Sequence, residues 1–234
     1  MSKSCGNVVN PDDVVSEYGA DALRLYEMFM GPLEQVKPWQ MKGVEGVSRF
    51  LARVWRVALD EQSDGSFTVS KSIQDVPCSD KELLRTVHET IKKVGEDIEK
   101  LSFNTAISQM MICTNAFTQA DIVPLKEFTQ FLTVLNPFAP HLAEEINSRL
   151  GGTTMLSETT WPDYDEAALV RNEIELVIQV NGKLRDRLIV SKDIDEEGAK
   201  AAAFASNKVS EHIEGKIIRK IIYIPGKIFN IVAT

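Results

Sequence analysis

The sequence predicts a mainly helical protein that ends in a small α+β domain: an antiparallel helix bundle followed by a ββααββ unit. Three observations predict it. Apolar residues recur at three- and four-residue spacing through most of the first 150 positions, Gly and Pro clusters punctuate those stretches, and beyond Arg171 the spacing switches to two. Helices joined by short connections pack up and down, and strands flanking a pair of helices make a compact two-layer domain.

At 234 residues, 44% hydrophobic and 26% charged, the chain is long enough for two small cores. No apolar run approaches membrane-spanning length and the first residues lack a secretory apolar core, so a cytoplasmic protein without a membrane partner is expected. Cys5, Cys78 and Cys113 are scattered and odd in number, and His88, His141 and His212 are equally dispersed. That pattern predicts a reducing compartment and no metal site. The net charge of −8 argues against a general polyanion binder, but it is unevenly spread. From Arg171 onward 11 Lys and Arg stand against 9 Asp and Glu, whereas the first 170 residues carry 15 against 25.

The chain opens on Ser2-Lys3-Ser4-Cys5-Gly6-Asn7, a polar segment in which one lysine stands between two hydroxyls. A mobile ammonium beside hydroxyls and open backbone N–H groups suits a phosphate; a frayed charged terminus is the plainer reading. Pro11 then fits a first helical position with acids in the first turn. Gly19 breaks the helix, and a second runs from Ala20 to Met30 before Gly31-Pro32 stops it.

Val36 to Leu59 reads as a long helix, with Val47, Phe50, Leu51, Val54 and Ala58 on one face and Arg49, Arg53 and Arg56 on another. The arginine stripe is open to two readings, a solvated helix face or a phosphate contact. Trp39 and Trp55 are expected to pack rather than to stack on bases. Gln62 to Ser79 reads as a loop. Leu84, Val87, Ile91, Val94, Ile98 and Leu101 then form the seam of a packed helix, Phe103 to Phe117 a second, Pro124 to Leu135 a third and His141 to Leu150 a fourth.

Thr153 to Leu169 reads as a linker. Ile174, Leu176, Ile178 and Val180 alternate, as do Leu184, Leu188 and Val190 after Asn181-Gly182, which makes a hairpin. A strict two-residue turn would put Arg187 opposite Leu176 on the apolar face. A three-residue loop, Asn181 to Lys183, pairs Leu176 with Leu188 and Ile174 with Val190, and is preferred. It leaves Arg185 and Arg187 on the outer face with Lys183 at the tip. Two helices, Asp193 to Ala205 and Val209 to Ile213, and two strands, Ile217 to Ile224 and Ile228 to Val232, complete the chain.

Several of these stretches together resemble a known family. Ser2-Lys3-Ser4, Gly6-Asn7-Val8-Val9-Asn10-Pro11, Tyr18-Gly19-Ala20-Asp21-Ala22-Leu23-Arg24 and Phe29-Met30-Gly31-Pro32-Leu33-Glu34 are similar to class I aminoacyl-tRNA synthetases just after their catalytic domain, in particular the bacterial-type leucyl-tRNA synthetases. Asn136 to Glu145 resembles the helical anticodon-binding domain of that class. Val180-Asn181-Gly182-Lys183-Leu184-Arg185 and Tyr223-Ile224-Pro225-Gly226-Lys227 resemble the family's C-terminal domain.

The resemblance implies four regions: a signature loop and stem-contact region at 1–35, an anticodon-binding-type bundle at 36–152, a linker at 153–170 and a tRNA-binding α+β domain at 171–234. It implies Lys3 as a catalytic lysine, with Ser2, Lys3 and Ser4 meeting ATP, and Arg49, Arg53, Arg56, Lys183, Arg185, Arg187 and Lys227 meeting tRNA. ATP and Mg²⁺ belong to the complete enzyme, with tRNA(Leu), leucine and an N-terminal catalytic half as partners. The motif's first lysine would fall before Met1, Cys5 stands where the family has a basic residue, and the His-x-Gly-His signature is absent. This chain alone is therefore expected to be inactive and to bind none of the cofactors. The alternative is a stand-alone RNA-binding or assembly module without catalysis.

Overall fold

The computed structural model describes residues 8–32, 34–170 and 173–234. These divide between Leu169 and Val170 into two compact units.

The first unit is helical. α1 (Pro11–Tyr18) starts with the Asn10 side chain accepting the Asp12 N–H and with Pro11 at its first turn. Gly19 follows at φ 87°, a left-handed conformation that favours glycine, and lets α2 (Ala20–Phe29) set off in a new direction. α3 (Met41–Ala58) buries Val44, Val47, Phe50, Leu51, Val54, Val57 and Ala58. α4 (Lys81–Glu99) is capped by Asp80, which accepts from Glu82 and Leu83 N–H. Its seam begins at Leu83 rather than Leu84, and Leu101 lies past the end in the left-handed region, 60% exposed.

α5 (Phe103–Gln119), α6 (Leu125–Leu135) and α7 (Pro140–Arg149) complete the bundle. Phe117 meets Phe128 edge-on at 5.1 Å, and Phe131 packs beside both. Asp21 ties α2 to α7. Its Oδ2 accepts the Leu142 N–H and its Oδ1 lies 2.8 Å from His141 Nδ1, so a buried carboxylate caps a helix from outside it.

Gln62 to Ser79 is not all loop. β1 (Leu59–Glu61) and β2 (Phe67–Val69) form an antiparallel pair, and β3 (Ile73–Gln74) pairs in parallel with β4 (Val123–Pro124). The 153–169 stretch is ordered against the bundle. Leu156 is buried in a 3₁₀ turn whose first two N–H groups are accepted by Glu144, and the Asp165 N–H is accepted by His88 Nδ1. Burial lowers the His88 pKa, in keeping with a neutral imidazole that accepts. α8 (Glu166–Leu169) adds the Lys92–Glu166 ion pair.

The second unit is one four-stranded sheet with two helices on one face. β5 (Glu173–Val180) and β6 (Lys183–Ser191) form a hairpin, α9 (Glu196–Ala205) and α10 (Asn207–Ile213) follow, and β7 (Ile218–Ile224) and β8 (Ile228–Ala233) return. The strand order is β6-β5-β8-β7, with β5 and β8 parallel. Leu176, Ile178, Val180, Phe229 and Ile231 pack on Ala199, Ala203 and Val209, small residues that let the helices lie close to the strands.

The hairpin register corrects the three-residue loop. Asn181 and Gly182, both at positive φ, form a two-residue turn with Val180 opposite Lys183, as the Asn-Gly pair favours. One extra residue, Arg185, then shifts the register, so Leu176 still meets Leu188 and Ile174 still meets Val190. Turn chemistry and apolar pairing are both satisfied, at the expense of a bulge.

Candidate nucleic-acid interface

The stripe on α3 divides chemically. Arg49 lies 3.7 Å from Glu45 one turn earlier, an exposed pair. Arg53 donates from Nη1 to the neutral Asn115 Oδ1 at 2.8 Å, and Arg56 from Nε to the Ala52 carbonyl at 3.1 Å. Among the described residues neither Arg53 nor Arg56 is ion-paired, so each keeps a full positive charge and free N–H donors. Both flank a cavity of about 410 Å³ with Ser72, Phe117 and Thr118 on its walls. Two guanidiniums beside hydroxyls are chemistry for phosphate.

In the second unit Lys183 and Lys227 are exposed and, among the described residues, without ion pairs. They stand at different turns: Lys183 follows the β5–β6 turn, and Lys227 precedes β8. The structure therefore does not gather them into one cluster. Arg187 sits opposite Val177, away from the helices, with Nη1 2.6 Å from Glu175 Oε1. That pair neutralises much of its charge, and it is readable once the register is known, because Glu175 falls diagonal to Arg187 on one face. Arg185 is half-buried in the bulge, its Nε without a partner among the described residues.

Several residues that hold these positions escape pattern reading. Asn181 Nδ2 donates to the Ala233 carbonyl and its Oδ1 accepts the Ala233 N–H, which fastens the turn to β8. Asp186 accepts from the Ser206 hydroxyl, the Arg187 N–H and Lys208, and these bonds hold its carboxyl below the usual range. The Asn-Gly turn signal marked Asn181 as a turn residue; nothing local marked its reach to β8.

Ser2, Lys3 and Ser4 lie outside the described residues. Among those described, no group of three or more His, Cys, Asp or Glu is placed to hold a metal ion, and no helix is long and apolar enough to cross a membrane.

The described residues form a helical unit with a cationic, phosphate-compatible helix face and a separate α+β unit, and the sequence comparison supplies the family. Residues 80–200 match the model described as the anticodon-binding domain of tRNA ligase, and residues 1–37 match that of the class I tRNA synthetases (I, L, M and V). The chain belongs to the anticodon-binding domain family of tRNA ligases. It is 50% identical over 232 residues to the leucine–tRNA ligase of Rhodopirellula baltica, covering 99% of this chain and 24% of that protein. A solved structure of the Agrobacterium radiobacter K84 agnB2 LeuRS, a ternary complex with tRNA and LeuAMS, matches the whole chain at 29% identity and a TM-score of 0.65, over 31% of its own length. The chain thus spans about a quarter to a third of the proteins it resembles.

Proposed function

We propose that this chain is the C-terminal part of a leucine–tRNA ligase, where it binds tRNA(Leu) and carries the signature loop that meets ATP. The observation that supports it most is the 50% identity to one such ligase across nearly the whole chain, which favours this reading over a stand-alone RNA module. In this reading 1–35 is the signature loop and stem-contact region, 36–152 an anticodon-binding-type antiparallel bundle, 153–170 the connection and 171–234 a ββααββ domain for the outer corner of tRNA. Arg49, Arg53 and Arg56, with Lys183, Arg185, Arg187 and Lys227, contact phosphates, so recognition is by shape and charge rather than base edges.

The complete enzyme joins leucine carboxylate to the α-phosphate of ATP and passes the leucyl group to tRNA in the cytoplasm. Ser2, Lys3 and Ser4 are this chain's residues toward the ATP phosphates, with Lys3 offsetting charge that develops on pyrophosphate. Mg²⁺ would supply further charge neutralisation when bound.

The test is direct binding of the 234-residue chain to a tRNA(Leu) transcript at several salt concentrations. Affinity should fall steeply as salt rises. Absence of binding at low salt, or salt-independent binding, would refute the tRNA assignment. Supplying the catalytic half as a separate polypeptide should restore leucyl-tRNA formation, and Lys3→Ala should then slow pyrophosphate exchange while tRNA affinity stays the same.

A further inference from the structure

A groove of about 1060 Å³ opens on the opposite side of Arg56 from the basic cavity. Leu51, Trp55, Leu59 and Phe67 give it an apolar floor, with Trp55 and Phe67 edge to face at 5.4 Å. Asp60 and Glu61 on β1 stand at its rim, both exposed and, among the described residues, without ion pairs.

The remaining charges of the lining are mostly satisfied within it. Asp21 is taken up by His141 and the Leu142 N–H, and Glu145 by Arg149, whose guanidinium lies over the Trp55 ring at 5.4 Å. With Arg56 as the one strong cation of the lining, the groove is net negative. That disfavours a polyanion within the groove.

The shape of the rim adds a second constraint. β1 belongs to a two-stranded sheet, so it pairs with β2 on one side and, among the described residues, with no strand on the other, although its Leu59 N–H is already donated to the Trp55 carbonyl. The few main-chain groups left on that short edge can hold an extended chain, and the apolar floor and the carboxylates then select its side chains. The charge of the rim specifies cations, and the aromatic pair specifies aliphatic or aromatic neighbours to them.

We infer that this groove docks an extended basic peptide segment of another protein, one in which Lys or Arg alternates with large apolar side chains. The inference is independent of the tRNA assignment. Its partner is set by the acidic, aromatic side of α3, and tRNA by the arginine side.

The probe is a fluorescein-labelled peptide, acetyl-Leu-Arg-Phe-Lys-Leu-amide, read by anisotropy against the intact 234-residue chain, beside two controls in which both cations become Glu or all three apolar residues become Ser. The cationic apolar peptide should bind and both controls should not. The double variant Asp60→Asn, Glu61→Gln, at exposed positions that leave the fold intact, should weaken binding about tenfold at low salt. Phe67→Ala should also weaken it while the melting temperature changes little. Equal binding of all three peptides, or unchanged affinity in both variants, would overturn the proposal, as would failure of the cationic apolar peptide to bind the wild-type chain.

Discussion

The division of the α3 stripe gives a prediction with a worked size. Replacing Arg53 and Arg56 together by Gln removes two cations that have no carboxylate partner among the described residues, while their existing bonds, to Asn115 and the Ala52 carbonyl, are exposed and contribute little to the fold. If each neutralises one phosphate, the slope of log affinity against log salt should fall by about 1.4–1.8, at 0.7–0.9 per contact. Between 50 and 200 mM salt the wild-type chain should then lose about tenfold more affinity than the variant. Arg49→Gln removes a cation already held by Glu45, so its effect on the slope should be smaller. The assay is filter binding of a tRNA(Leu) transcript across that salt range, with circular dichroism as the control for folding. An unchanged slope in the double variant, or an equal effect from Arg49→Gln, would refute the reasoning.

Three further outcomes follow from the geometry. Asp21→Ala removes both the His141 contact and the acceptor for the Leu142 N–H, and should cost about 2 kcal/mol in urea unfolding of the helical unit, with Asp21→Asn intermediate; equal stability of all three forms would discount the cap. Asn181→Ala loses two bonds to Ala233 and keeps an unfavourable positive φ, so it should destabilise the α+β unit more than Asn181→Gly, by about 1 kcal/mol; identical losses would mean that the backbone conformation is not a contributor. Burial pushes the Cys113 thiol from an ordinary value of 9.0 up to about 12. Above pH 9 the unfolded chain releases a proton that the folded chain retains. Stability contributed by the neutral thiol is therefore full below pH 9 and falls as pH rises toward 12, by up to about 4 kcal/mol. The slope of unfolding free energy against pH should be shallower in Cys113→Ala; an identical slope would place the alkaline loss elsewhere.

The helices were legible because each buries a continuous apolar stripe that repeats many times within one segment, as Val47, Phe50, Leu51 and Val54 do on α3. The strands β1 and β2 were not, since three residues are too few to establish an alternation and their partners lie across a turn. The stretch around Leu156 read as a linker because its order comes from elsewhere: Glu144 on α7 caps its turn and His88 on α4 accepts from Asp165. In the hairpin, local turn chemistry and apolar pairing demanded different registers, and reasoning from either alone gave one right answer out of two. A bulge at Arg185 meets both demands, but one extra residue has no signature in the alternation itself. At the candidate site the residue types were readable and their charge states were not. Glu175 against Arg187 depends on the register, and Asn115 beside Arg53 depends on how α5 packs on α3.

The same α3 helix reconciles an acidic chain with an anionic partner. The first 170 residues carry 15 basic against 25 acidic side chains, so a tRNA contact there must rest on cations kept apart from carboxylates rather than on net charge. Arg53 and Arg56 meet that condition, while Asp60 and Glu61 are displaced one turn and a strand away into the groove. Arg56 lines both cavities, so the two faces share a residue. A cationic peptide in the groove would offset the carboxylates nearest Arg56 and strengthen the positive potential on the tRNA side, within a screening distance of about 10 Å at 0.1 M salt. By reciprocity tRNA would then raise the peptide's affinity by the same factor, which is measurable by titrating the labelled peptide with and without tRNA(Leu). In Arg56→Gln that mutual gain should shrink, because the residue through which the two faces meet has lost its charge.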